Sequence, residues 1–457
     1  MTSRNDYGRY RAVTEHNIAQ TPEWHWIDPQ HQEAIRVVSQ VLPFRTNEYV
    51  IRELIEWGNL PLDPIFQLVF PQRGMLSAEE YDRVRTLLER DAQQELAAEI
   101  SRIRYSLNPH PAGQLTHNVP RLDGRPLPGL QHKYRETVLL FPAQGQTCHA
   151  YCTYCFRWAQ FVGMPEVKFE ARETDDLVAY LKANRCVTDV LITGGDPMIM
   201  KTRVLRKYIE PLLAAGLENV QTIRIGTKAL GYWPQRFVTD KDADDCLRLF
   251  EEVVAAGKHL AVMAHYSHPA ELKPEIAREA VRRVGSTGAQ LRMQGPLIRH
   301  VNDNAQVWAE LWREGVKLGM IPYYMFIERD TGARNYFEVP LARCHEIFRD
   351  AYNQVSGLGR TVRGPSMSAF PGKVRVCGVS RIHGEKVFVL EMIQARNPEW
   401  VGRPFFAKFN PRASWLDHLE PAFGERKFLF ESDDNARRRI VAQSEFWAQD
   451  GAEVIAV

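Results

Sequence analysis

The sequence predicts an α/β fold: a partial (β/α)6 barrel core, an N-terminal helical region and a C-terminal α+β extension. Three observations predict it. From Thr137 onward short apolar runs alternate with helix-like segments, the rhythm of a parallel β/α array. Six such runs are too few for a closed eight-strand barrel, so an open, partial barrel is expected. The texture also changes on both sides of this array, which divides the chain into 1–130, 131–355 and 356–457.

Residues from about 15 to 105 read as a helical packing layer. Ser77 and Glu80 form a capping box that opens a run with Tyr81, Val84, Leu87 and Leu88 at helical spacing. Loop chemistry at Asn108–Gly113 and Asp123–Gly129 ends this region. The expected strands are Val138–Phe141, Val190–Thr193, Gln221–Ile225, His259–Ala264, Gln290–Met293 and Ile321–Ile327. Between them lie helical segments at Glu173–Ala183, Leu205–Ala215, Asp240–Ala256, Pro274–Val284 and Asn304–Leu318, the last capped by Asn302 or Asp303. Beyond residue 355, Gly357–Gly359 and Gly364-Pro365 read as turns. Val374–Val379 and Lys386–Glu391 read as a hairpin joined through His383-Gly384. Pro404–Phe423 reads as irregular, and Asp434–Trp447 as an amphipathic helix with Arg437 to Arg439 on its solvated face.

Composition narrows the class. The chain has 457 residues and a net charge of +2, so no electrostatic pull towards nucleic acid is expected. No apolar stretch approaches a membrane span, and the N-terminus lacks the apolar core of a signal peptide. Of seven cysteines, Cys186, Cys246, Cys344 and Cys377 are scattered, which argues against a disulfide framework and for a reducing, cytoplasmic setting.

The other three cysteines carry the chemistry. Cys148, Cys152 and Cys155 stand at C-x3-C-x2-C spacing in the loop that leaves the first expected strand. Three thiolates in one short loop can ligate three irons of a [4Fe-4S] cluster and leave the fourth iron open to a small chelating molecule such as S-adenosylmethionine. The alternatives are unrelated buried cysteines, or a zinc site one ligand short. Zinc usually shows paired ligands in two separated groups, and no second pair is present. Tyr154, just before the last cysteine, is an aromatic against which an adenine can pack. On the next strand, Gly194-Gly195-Asp196 is either an ordinary strand-end turn or a place where a ligand meets the backbone. Polar groups end the following strands: Thr227, His268 and Gln294.

The C-x3-C-x-aromatic-C motif resembles that of the radical S-adenosylmethionine superfamily. The strand-end segments around Asp196, Thr227, His268 and Gln294 are similar to those of the lysine 2,3-aminomutase family, over roughly residues 130 to 380. The resemblance implies reductive cleavage of S-adenosylmethionine to a 5′-deoxyadenosyl radical, with Gly194, Gly195, Asp196, Thr227, His268 and Gln294 near that molecule. It implies an electron donor such as flavodoxin or ferredoxin, a homo-oligomer, and an amino acid substrate whose amine moves from C2 to C3. Arg157, two residues after the last cysteine, falls where the family engages the substrate carboxylate. Pyridoxal 5′-phosphate is the second cofactor implied, with Lys373 as its lysine and Lys133 near its phosphate. A lysine beside the Pro371-Gly372 turn can equally be simply exposed, and the family's glycine run before this lysine is reduced to those two residues. Family enzymes acting on lysine set two aspartates against its distal ammonium. Arg329 and Ser366 stand at those positions here, so an acidic amino acid such as glutamate fits better than lysine. Glu328 and Asp330 flank Arg329, and an alignment shift of one residue would restore an acid. Two other readings remain: radical chemistry on another small molecule without pyridoxal phosphate, and a non-catalytic iron–sulfur sensor.

Overall fold

The computed structural model describes residues 10–108, 117–164 and 169–431. The expected terminal helix with Arg437 to Arg439, and most of the Asn108–Gly113 loop, lie outside them.

The N-terminal layer is mainly helical, as its periodicity predicts, but it also contains a short ribbon. Strand β1 (Ala12–Thr14) pairs antiparallel with β2 (Arg45–Asn47). The helix Pro29–Val41 starts where the Asp28 carboxylate accepts from the Gln30 and His31 N–H groups and Pro29 occupies the first turn. The helix Ala78–Glu89 starts at the predicted Ser77–Glu80 capping box. Its buried face carries Tyr81, Val84 and Leu87. These side chains form a hydrophobic cluster that extends to Ala150, Tyr154 and Trp158, so this layer packs directly on the cysteine loop.

After a small ribbon of β3 (Arg121–Leu122) and β4 (Arg125–Pro126), one sheet of eleven strands runs in strict chain order. β5 (Leu130–Tyr134) is antiparallel to β6 (Thr137–Leu140). From β6 the pairing is parallel through β7 (Asp189–Ile192), β8 (Thr222–Thr227), β9 (His259–His265), β10 (Gln290–Leu297), β11 (Ile321–Ile327) and β12 (Arg363–Ser368). β13 (Gly372–Ile382), β14 (Glu385–Ala395) and β15 (Pro404–Lys408) then add on antiparallel. All six expected strands and all five intervening helices are present, the helices as Asp175–Ala183, Thr202–Ile209, Ala243–Ala255, Glu275–Ser286 and Ala305–Lys317. The hairpin turns at His383-Gly384 as expected.

Three local readings are corrected. Gly364-Pro365 is not a turn but lies inside β12, a seventh parallel strand. Pro365 has no N–H to donate, and the β11–β12 register is irregular there. Pro404–Phe423 is not wholly irregular, because it opens with β15. The helix Ala305–Lys317 is capped by Asn304, whose side chain accepts from Gln306 N at 2.7 Å, and not by Asn302 or Asp303. The Asn302 amide is committed elsewhere: it accepts from Ile298 N and donates to the Ser267 and Pro296 carbonyls.

Period-two burial sets the two faces of the parallel strands. In β8, Ile223 and Ile225 are fully buried, while Thr222, Arg224 and Gly226 on the opposite face are partly exposed. Arg224 ion-pairs there with Asp189 of β7. The sheet is curled, because its two flanks meet. The Lys133 ammonium on β5 donates to the Ala369 carbonyl between β12 and β13, and Arg396, after β14, donates to Asn118 Oδ1 ahead of β5. Among the described residues no helix is long and apolar enough to cross a membrane.

Candidate active site

The cysteine loop leaves β6 and is braced by the N-terminal layer. Arg45 donates to Thr147 Oγ1 (3.0 Å) and to the Cys148 carbonyl (3.3 Å), and its own carbonyl accepts from Tyr151 N. Tyr10 Oη donates to the His149 carbonyl at 2.9 Å, and Thr153 is held by the Gln67 and Leu68 carbonyls. Two turns, Cys155 N to Cys152 O and Trp158 N to Cys155 O, wind the loop so that the last two cysteines share one bend. All three thiols are free and partly buried. Burial pushes Cys152 up to about 11 and Cys155 up to about 12, and raises Cys148 well above the usual thiol range. Such thiols ionise readily only when a metal takes them. The donor set therefore fits an iron–sulfur cluster held by three thiolates.

The strand ends beside this loop form a connected polar network. Gly195 N and Asp196 N donate to the carbonyls of Gly145 and Thr147. A Cβ on Gly195 would sit 2.2 Å from the Thr147 carbonyl oxygen, so the glycine is required by the cysteine loop's own backbone. Asp196 is buried and takes the Thr227 hydroxyl, which spends Thr227 on the protein as well. Tyr154 is buried, with its hydroxyl 3.2 Å from Ser267 Oγ and its ring edge-on to His265. His268 caps the short helical turn Pro269–Leu272, its Nδ1 accepting from Ala270 N. Burial lowers it to about 4, so it is neutral at physiological pH. Gln294 lies at the one irregularity between β10 and β11 and is partly exposed.

A second group is made of basic side chains. Arg157 is 8 % exposed, and its guanidinium lies 4.2 Å from the Phe141 ring centroid and 5.1 Å from that of Phe156. Burial pulls it down to about 10, with Arg329 adding to the fall and Cys155 opposing it. Arg329 sits 5.1 Å from the same Phe156 ring and 5.9 Å from Trp415. Lys133 is held far below the usual lysine range by burial and then by Arg396, Arg329 and Lys373. Lys373 stands on β13 with its ammonium 4.0 Å above Tyr324 and 5.4 Å from Phe326. Burial, with Arg224 and Arg363, lowers it to about 7. Cys155, Arg157, Arg329, Lys133 and Lys373 thus follow one another through the site, close enough to shift one another's ionisation, while Asp330 and Glu328 act on Arg329 with the opposite sign. A lysine of this kind fits an aldehyde cofactor, and the surrounding cations fit its phosphate. Ser366 is not brought into this group. It is fully buried, and its hydroxyl faces the Met325 carbonyl at 3.5 Å.

Three features had no reading in the sequence and a fourth, Asn302, had a different one. Arg45 belongs to a region with no motif. His149 lies in plain view between two cysteines, but nothing in spacing marks it. Asn302 reads as a helix cap. The buried ion pair of Lys228 with Glu271 (2.6 Å) joins residues 43 apart, which no local pattern links.

The three thiols in the loop after the first parallel strand of an α/β fold are the arrangement expected of the radical S-adenosylmethionine class. A protein of Aquifex aeolicus described as "Putative L-lysine 2,3-aminomutase" is 31% identical over 402 residues, which are 88% of this chain and 94% of that protein. The chain belongs to the L-lysine 2,3-aminomutase family. The L-lysine 2,3-aminomutases of Fusobacterium nucleatum and Clostridium subterminale are each 28% identical over 232 residues, 51% of this chain and 51% and 52% of theirs. The chain thus spans about half the length of these two relatives. Among solved structures, a radical SAM methyltransferase from Sphaerobacter thermophilus is 19% identical at a TM-score of 0.36, covering 52% of this chain and 68% of that one, a likeness too low to bear on function. No family model matches the sequence.

Proposed function

We propose that this protein is a radical S-adenosylmethionine 2,3-aminomutase that uses pyridoxal 5′-phosphate and acts on an α-amino acid with an acidic side chain, such as glutamate. When bound, the cluster supplies the electron that cleaves S-adenosylmethionine, and pyridoxal phosphate supplies a conjugated ring that stabilises the substrate while its amine migrates. Cys148, Cys152 and Cys155 would hold the cluster. Lys373 would offer its neutral amine to the aldehyde, and Lys133 with Arg396 would face the phosphate. Arg157 would orient the α-carboxylate. Arg329 would take the side-chain carboxylate. Tyr154 would pack beside the adenine, and the N-terminal layer would keep water from the cysteine loop. The curled, sequential sheet is consistent with a partial (β/α)6 barrel whose strand ends carry the site.

The observation that carries the reading is the row of basic side chains that runs from Arg157 and Arg329, which share the Phe156 ring, to Lys373, which lies over Tyr324 and has no carboxylate partner among the described residues. Such a row is the counterpart of a phosphate and two carboxylates; a second ammonium would be repelled by it. The test is absorbance of the anaerobically reconstituted protein with added pyridoxal phosphate. A band characteristic of the lysine-bound cofactor, abolished by Lys373→Ala, is expected. A full cluster with no such band would favour the reading without pyridoxal phosphate.

A further inference from the structure

By family resemblance Asp196 belongs at the methionine end of S-adenosylmethionine, yet its carboxylate is already filled. Oδ1 accepts from Met198 N at 2.9 Å and Thr227 Oγ1 at 2.8 Å. Oδ2 accepts from Lys228 N at 2.8 Å and lies 3.0 Å from His149 Nε2, with Thr227 Oγ1 at 2.9 Å as well. A carboxylate offers about four lone-pair sites, and these donors use them. Asp196 is 2 % exposed and His149 is wholly buried, so neither side chain presents a surface to a ligand.

The other end of the contact is the cluster loop. His149 directly follows Cys148. Its carbonyl is taken by Tyr10 Oη and Asn47 Nδ2, and its ring lies 6.0 Å from that of Trp233. The backbone of the G-G-D segment grips the same loop through Gly145 and Thr147. The first cysteine is therefore fastened through its neighbour to the ends of β7 and β8.

We propose that Asp196 and His149 are positioning residues: their buried contact pins Cys148 in the geometry that ligates iron, and the Asp196 side chain does not touch S-adenosylmethionine. This rests on the cluster reading above. It resembles the hydrogen-bonded partners behind metal ligands, whose loss costs about 10–100-fold in metal affinity.

The test uses the full chain, reconstituted anaerobically with iron and sulfide, as wild type, Asp196→Asn, His149→Leu and His149→Gln. The readouts are the rate of iron loss to a chelator, the electron paramagnetic resonance spectrum of the reduced cluster with and without S-adenosylmethionine, and the melting of the apoprotein. Asp196→Asn and His149→Leu should lose iron about 10–100-fold faster, while the apoprotein of each still melts cooperatively. His149→Gln, whose amide can still donate to Asp196, should restore retention. The cluster remaining in Asp196→Asn should still show the wild-type spectral change on adding S-adenosylmethionine. If Asp196→Asn does not fold, the contrast of His149→Leu with His149→Gln decides. Normal iron retention in His149→Leu overturns the proposal, as does Asp196→Asn that keeps its iron but loses the response to S-adenosylmethionine. A wild type that takes up no iron would be a different failure, of the cluster reading itself and of the proposal with it.

Discussion

If Lys373 is the amine that meets an aldehyde cofactor, it must be neutral where other lysines are charged. Its environment lowers it to about 7, through burial first and then the charges of Arg224 and Arg363. At pH 8 such an amine is about 90 % neutral, whereas an ordinary lysine is only about 0.4 % neutral, a roughly 200-fold difference in reactive form. Reductive ¹³C-methylation followed by an NMR pH titration reads this directly, with the Lys373 signal assigned by its absence in Lys373→Arg. A midpoint near 7 is expected, and Arg363→Gln should move it upward by removing a repelling charge. The stability linkage has a definite sign. Because the folded pKa is below the unfolded one, the unfolded chain binds the extra proton between about 7 and about 10.4, and this group makes stability rise with pH across that window and leaves it flat below. A midpoint near 10, unmoved by Arg363→Gln, would refute the reasoning.

Other consequences follow from particular contacts. Lys228→Met leaves the fully buried Glu271 carboxylate without its cation, and chemical denaturation should show a loss of about 3–5 kcal/mol, partly restored by adding Glu271→Gln. Asn304→Ala removes the cap of the helix Ala305–Lys317 and should cost about 1 kcal/mol by the same measurement. Arg329→Asp replaces a cation by an acid at the proposed side-chain site. At about 5 Å and an effective dielectric near 20, a unit pair is worth about 3 kcal/mol, and the reversal both removes one attraction and adds one repulsion, so kcat/KM for the acidic substrate should fall by well more than about 100-fold while that for lysine rises.

The β/α rhythm was legible because each strand turns an apolar edge towards the helices, as Ile223 and Ile225 do, and each helix repeats its own apolar spacing. β12 was hidden because Gly364-Pro365 carries turn chemistry within a strand whose ladder forms around it. The Asn302 error has a similar cause. A short polar residue before a helix reads as a cap, and only the tertiary structure shows that the amide bridges Ser267 and Pro296 while Asn304 caps. At the site, the three cysteines were legible because their ligand spacing is local. The closure of the cysteine loop by Arg45, Tyr10 and Asn47 was not, since those contacts join residues about a hundred or more apart. Gly195 shows a subtler limit. Its need for a bare backbone was readable, but the partner that needs it is the cysteine loop itself.

The central claim is most directly tested by anaerobic turnover of the reconstituted protein with S-adenosylmethionine, a reductant, pyridoxal phosphate and a panel of amino acids that includes glutamate and lysine, with products analysed for amine position. The account predicts a 3-amino product from the acidic substrate, dependent on Lys373 and on all three cysteines. Conversion of lysine alone would contradict the role given to Arg329, and cleavage of S-adenosylmethionine with no amino acid rearranged would contradict the aminomutase reading.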